Sequence, residues 1–211
     1  MYKNASNIEY KKTGSPRPIM RIATGLNFSY GIVEATVGLM SGSSAAFANG
    51  WHNFLDSISH GAHTSTHKKE LSDEYVHKKV MRRRRLAATA IAAGAIMTGA
   101  NAARSIANPE EAPLNVKALS AELGAVAINA GLIYSIKRRR DDTLAYKDAE
   151  RHFFVDGSMA TVTSFAIAVT PYFHYADGIG GMIATSASGW LAYKTYLDDG
   201  EHAHVSEPSD V

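Results

Sequence analysis

Lysine and arginine gather in three segments of this chain, and those segments alternate with turns that hold none. Residues 1–21 carry five, residues 67–85 eight and residues 137–151 six, together 19 of the 22 in a chain of 211 residues. The segments 41–44, 106–114 and 171–177 carry none. Between these points lie six runs of small and apolar residues, at 22–40, 45–63, 86–103, 116–136, 152–170 and 176–197. Each is about 18–21 residues long, which matches the thickness of a bilayer's hydrocarbon core. A soluble bundle has no reason to segregate its cations so cleanly, whereas the positive-inside bias of membrane proteins requires it. The pattern predicts an all-α, polytopic membrane protein with six transmembrane helices and both termini cytoplasmic.

That reading divides the chain into a cytoplasmic N-terminal segment (1–21), a six-helix transmembrane domain (22–197) and a short acidic cytoplasmic tail (198–211). The two basic loops of the domain, 67–85 and 137–151, are cytoplasmic. The prolines of Asn108-Pro109-Glu110-Glu111-Ala112-Pro113 mark a loop, and Ser41-Gly42-Ser43-Ser44 reads as a tight polar turn. The glycine and alanine of spans three and six suit close helix contact in lipid. Residues 1–21 lack the apolar core of a secretory signal. With no cysteine, the chain has neither disulfides nor thiolate metal sites. The run Arg82–Arg85 suits anionic lipid headgroups, and in a membrane loop it is not a nucleic-acid site.

Span two carries Trp51-His52-Asn53-Phe54-Leu55-Asp56, and span five carries His152-Phe153-Phe154-Val155-Asp156. In each, a histidine and an aspartate are four residues apart, so a helix sets both side chains on one face. Ionisable groups inside a membrane are costly and need partners. Two helices each giving one His and one Asp make a nitrogen and oxygen ligand set suited to tetrahedral zinc, and one that other first-row divalent ions also fit. His52, Asp56, His152 and Asp156 are the expected metal ligands, the alternative being a structural ion pair between the two helices. A proton must leave histidine before metal binds, which links metal affinity to pH.

On the helical wheel His52, Asp56, His60, His63 and His67 fall within one stripe about 80° wide. Asp148, His152 and Asp156 make a shorter stripe on span five. Together they suggest a polar track from the cytoplasm to the site through His60, His63, His67 and Asp148. Glu34 and Glu122, in spans one and four, are candidates for a structural contact or a proton relay. Asn27 and Asn129 read as interhelical hydrogen-bonding residues. Asp177 reads as the cap of its own helix, and Glu201-His202-Ala203-His204 as solvated tail.

The ordered set of these residues resembles the cation diffusion facilitator family of zinc and divalent-metal exporters, over roughly residues 22–197. The carriers are Asn27 and Glu34, the Ser41–Ala45 turn, Phe47 through Asp56, Asn129, His152 through Asp156, and Ala176-Asp177-Gly178-Ile179-Gly180-Gly181. The resemblance implies that His52, Asp56, His152 and Asp156 are the transport ligands. It also implies metal/proton antiport by alternating access, a homodimer, and zinc as the cargo of a His/Asp site. On this reading the protein is not an enzyme. It is a multi-pass secondary transporter of the cell membrane, with no prosthetic group, and its partners are a divalent cation, protons and lipid. The chain departs from the family pattern in three places: Asn49 stands where Asp is frequent, the 67–85 loop replaces the usual Pro/Gly/Arg signature with arginines, and only residues 198–211 stand where members carry a cytoplasmic domain.

Two other classes compete. A non-transporting metal-binding scaffold or sensor would keep the site and lose the cycle. A histidine-box oxygenase would use His60 and His63, but His77 and His174, the histidines left over, are too scattered for its further clusters.

Overall fold

A computed structural model of the chain describes residues 17–64, 73–109, 113–138 and 144–197. They form six α-helices, with no strand among the described residues: α1 (Arg17–Ser41), α2 (Ser44–Thr64), α3 (Asp73–Ala107), α4 (Val116–Arg138), α5 (Leu144–Val169) and α6 (Ala176–Leu197).

The α1–α2 turn shows how local chemistry sets the ends. Gly42 takes φ 73°, the left-handed conformation in which a helix C-terminus often closes. The Ser43 amide donates to the Gly38 carbonyl at 2.9 Å and the Gly42 amide to that of Leu39 at 3.4 Å, so the last carbonyls of α1 are satisfied. Ser43 then caps α2, its hydroxyl oxygen accepting the Ala46 amide at 3.2 Å. Asn115 caps α4 in the same way, accepting the Ala118 amide at 3.1 Å, and its own amide group reaches the Ser41 carbonyl at 3.0 Å.

Three helices run further than the sequence suggests. The basic stretch expected as a loop over 67–85 is helical from Asp73, and α3 continues unbroken for 35 residues, or about 52 Å. Helix α5 likewise begins at Leu144, inside the expected 137–151 loop, and α1 begins at Arg17, inside the expected N-terminal segment. Lysine, arginine and glutamate are good helix formers, and neither glycine nor proline interrupts 73–85 or 144–151. A charge run marks where water begins, not where a helix stops.

Helix α2 is central, touching every other helix, and the most intimate pairs are α1 with α2, α3 with α6, and α4 with α5. The buried apolar side chains are mostly alanine, with small clusters such as Ala45, Ala46, Ala118 and Ile167, or Leu55, Ile91 and Ala192. Glu34, Asn49, Glu122, Asp156 and Thr163 are completely buried among them. The exterior carries Met40 (83% exposed), Ile96 (75%) and Phe165 (68%). Large apolar side chains outside and carboxyls inside reverse the usual arrangement in water.

Among the described residues, two helical stretches, Arg85–Ala107 and Val116–Arg138, are long and apolar enough to cross a membrane, and Phe153–Val169 is apolar but shorter. The expected six spans thus reduce, on length and apolarity alone, to two. Helix α2 falls short because it spends positions on Asn49, His52, Asn53, Asp56, Ser57 and four further histidine and serine residues.

Candidate metal centre

His52 of α2 and Asp156 of α5 meet in the interior. The His52 Nε2 lies 3.7 Å from Asp156 Oδ1, with the side chains 5% and 0% exposed. The other carboxylate oxygen of Asp156 accepts a hydrogen bond from the Asn27 amide of α1 at 3.2 Å. On the far side of the imidazole, His52 Nδ1 lies 3.0 Å from Ser188 Oγ of α6. Four helices therefore converge on two side chains.

Ser188 Oγ lies 3.0 Å from the Ala184 carbonyl as well as 3.0 Å from His52 Nδ1. With its single hydrogen on that carbonyl, the oxygen accepts from His52 Nδ1–H and leaves Nε2 facing the carboxylate. Fixing the tautomer through the second ring nitrogen is what metal-binding histidines require of their surroundings.

The 3.7 Å separation is longer than a hydrogen bond. Two ligand atoms each about 2.1 Å from a tetrahedral zinc stand about 3.4 Å apart. A divalent ion thus fits between Nε2 and Oδ1 with adjustments of a few tenths of an ångström, and a proton on Nε2 makes an ion pair at the same place. The two species exclude each other at one nitrogen.

Asp56 follows His52 by one turn on α2, and His152 precedes Asp156 by one turn on α5. The side chains of both, and those of His60, His63 and Asp148, lie outside the described residues, as does His67 entirely. The helices needed for the stripe are present, since α2 runs through His60 and His63 to Thr64 and α5 contains Asp148. Among the described residues no three His, Cys, Asp or Glu side chains come together as a metal-binding group; the described part of the site is the His52–Asp156 pair.

Glu34 and Glu122 come together elsewhere in the interior. The Asn49 amide nitrogen donates to both carboxyls, at 3.1 Å to Glu34 Oε1 and 3.0 Å to Glu122 Oε2. Asn53 donates to Glu34 Oε2 at 2.9 Å, and the Thr163 hydroxyl bonds Glu122 Oε2. Asn49 is where an aspartate was the family expectation. Here its amide supplies two donors that a third carboxylate could not.

Other expectations divide. Asn27 bridges helices as expected, through Asp156. Asn129 instead donates to Ala125 of its own helix at 3.1 Å. Asp177 does not cap α6. It reaches across to the start of α2, accepting the Ser43 hydroxyl at 2.5 Å and the Ser44 amide at 2.6 Å. Ser188, Asn53 and Thr163 went unsingled in the sequence; the one signal they gave was a polar side chain inside an apolar helix. A cavity of about 800 Å³ opens between the α1–α2 and α3–α4 turns, lined in part by Asn101, Arg104, His174 and Asp177, away from His52 and Asp156.

No protein-family model matches the chain, and no curated protein matches it.

Proposed function

We propose that this protein is a proton-coupled exporter of a divalent metal ion, zinc foremost, spanning the membrane six times with both termini in the cytoplasm. The observation that carries the reading is the meeting of His52 and Asp156 in the interior, with Nε2 on the side of the carboxylate and Nδ1 at 3.0 Å from Ser188 Oγ. The likeness of the ordered motifs to cation diffusion facilitators points the same way. So does the apolar exterior, which suits lipid on the flanks of α1, α3, α5 and α6.

In the proposed cycle, metal from the cytoplasm displaces the proton on His52 Nε2 and binds between His52 and Asp156, with Asp56 and His152 completing the ligand set. Opening to the other side lets protons compete for the same nitrogen and release the ion. Burial excludes water, so that the exchange is one for the other. Cargo enters along His67, His63, His60 and Asp148, and two copies of the chain work side by side.

The test is zinc uptake into proteoliposomes under an imposed pH gradient. His52→Ala and Asp156→Ala should each drop to the level of empty vesicles while circular dichroism shows full helical content. Full transport by both variants would end the exporter reading. Tight zinc binding by the parent chain with no pH-dependent flux would replace it with a metal-binding scaffold or sensor.

A further inference from the structure

We propose that Glu34 and Glu122 bind one proton between them, carried on Glu122, at a site separate from His52 and Asp156. The inference stands on the bonding around the pair and does not depend on metal transport.

Both carboxyls are completely buried. The shared Asn49 donor, bonded to Glu34 Oε1 at 3.1 Å and Glu122 Oε2 at 3.0 Å, sets them side by side. Neither has a lysine, arginine or histidine partner among the described residues. Two adjacent carboxylates in such surroundings cannot both stay ionised, and one proton removes the conflict.

The donors around the pair assign that proton. Both oxygens of Glu34 already accept amide N–H groups, from Asn49 and Asn53. A proton on either oxygen would take up one of the lone pairs of an oxygen that already accepts an N–H, weakening that bond. Glu122 takes its two donors, Asn49 and Thr163, on Oε2 alone, and no donor reaches Oε1. Glu34 is therefore the carboxylate and Glu122 the acid.

The remaining titratable groups around the pair are accounted for. Tyr30 of α1 donates its hydroxyl to the Ala121 carbonyl at 2.5 Å. Asp156 of α5 acts on Glu34 through its charge, and on α2 the neighbour of Asn53 is His52. Sealed from water and bonded to α1, α2, α4 and α5, the proton is resident, and the exchanged proton belongs to the metal ligands.

Infrared spectra of the purified, metal-free full chain at neutral pH test this directly. The parent chain should show a protonated-carboxyl C=O stretch that Glu122→Gln removes. Glu122→Gln should also melt with the parent, because its amide oxygen takes the place of Oε2 and its NH2 the place of the acid. Glu34→Gln should melt clearly lower, because it points an amide nitrogen at an Asn donor. A purely packing role would treat the two substitutions alike. Superimposable spectra of parent and Glu122→Gln would overturn the proposal. So would a Glu122→Gln chain that fails to fold or melts below Glu34→Gln. A chain that shows the band yet moves no zinc would end the exporter reading and leave this site standing.

Discussion

Ser188 has one hydroxyl hydrogen, and its use decides the state of a histidine on another helix. With that hydrogen on the Ala184 carbonyl, the oxygen accepts from His52 Nδ1. Ser188→Ala removes the acceptor and lets the ring turn or change tautomer. Outer partners of metal-binding histidines contribute about 10–100-fold to affinity. Chelator competition should therefore show zinc binding weakened by that factor in Ser188→Ala, with helical content unchanged; equal affinity would mean that Ser188 does not orient the ring. At this scale the sequence was partly readable. His52 and Asp156 stood out because charge in an apolar run demands a partner. Ser188 did not, because serine in a membrane-like helix usually bonds its own backbone, as Ser186 does to Met182 at 2.8 Å. Nothing in the spacing said that one serine would do this and the other also serve a neighbour.

Helices α1 and α2 pack backbone against backbone. A Cβ on Gly31 would lie 2.6 Å from the Phe54 nitrogen, and one on Gly50 would lie 2.8 Å from Ala35 Cα. These are backbone atoms, so the helices must part to admit a methyl group. Gly25 and Gly131, by contrast, have nothing within 4 Å of the corresponding position. Gly50→Ala should lower the melting temperature sharply, as overpacking costs about 1–3 kcal/mol. Gly25→Ala should be neutral or slightly stabilising, since alanine is the better helix former by about 1 kcal/mol. Thermal melts of the two variants in one detergent check the contrast, and equal melting temperatures would refute the close approach. Among the elements, the Ser41–Ser44 turn was legible from its residues and α6 was expected over the residues it occupies. The starts of α1, α3 and α5 were not, because the charge run that ends an apolar stretch does nothing to end a helix.

Among the described residues, carboxyl and amide side chains are buried between alanines while many large apolar side chains are exposed. On the six-span reading that exterior faces lipid, and the aromatic residues at the two ends of α6 suit the interfaces: Phe173 and Tyr175 before its start, and Trp190, Tyr193 and Tyr196 near its finish, all exposed. From Tyr175 to Tyr193 a helix rises about 27 Å, close to the hydrocarbon thickness of about 30 Å. The absence of native cysteine makes topology easy to read. Single cysteines at Arg82 and Asn108, both exposed, should react with an impermeant maleimide from opposite faces of sealed vesicles. Labelling of both from the same face would refute the six-span arrangement. The six-span proposal rests on the alternation of charge in the sequence. Apolarity alone could not, since four of the helices dilute their apolar stretches with the groups that build the interior.

The network of Asn27, Glu34, Asn49, Asn53, Glu122, Asp156 and Thr163 ties α1, α2, α4 and α5 to one another. Helices α3 and α6 form a pair of their own, joined by Thr98 and Thr185 at 3.0 Å. From that pair, Ser188 is hydrogen-bonded to His52. Asn101 of α3 and Asp177 of α6 fasten that pair to the Ser43–Ser44 start of α2, so the imidazole of His52 is held from the same pair of helices that anchors the beginning of its own helix.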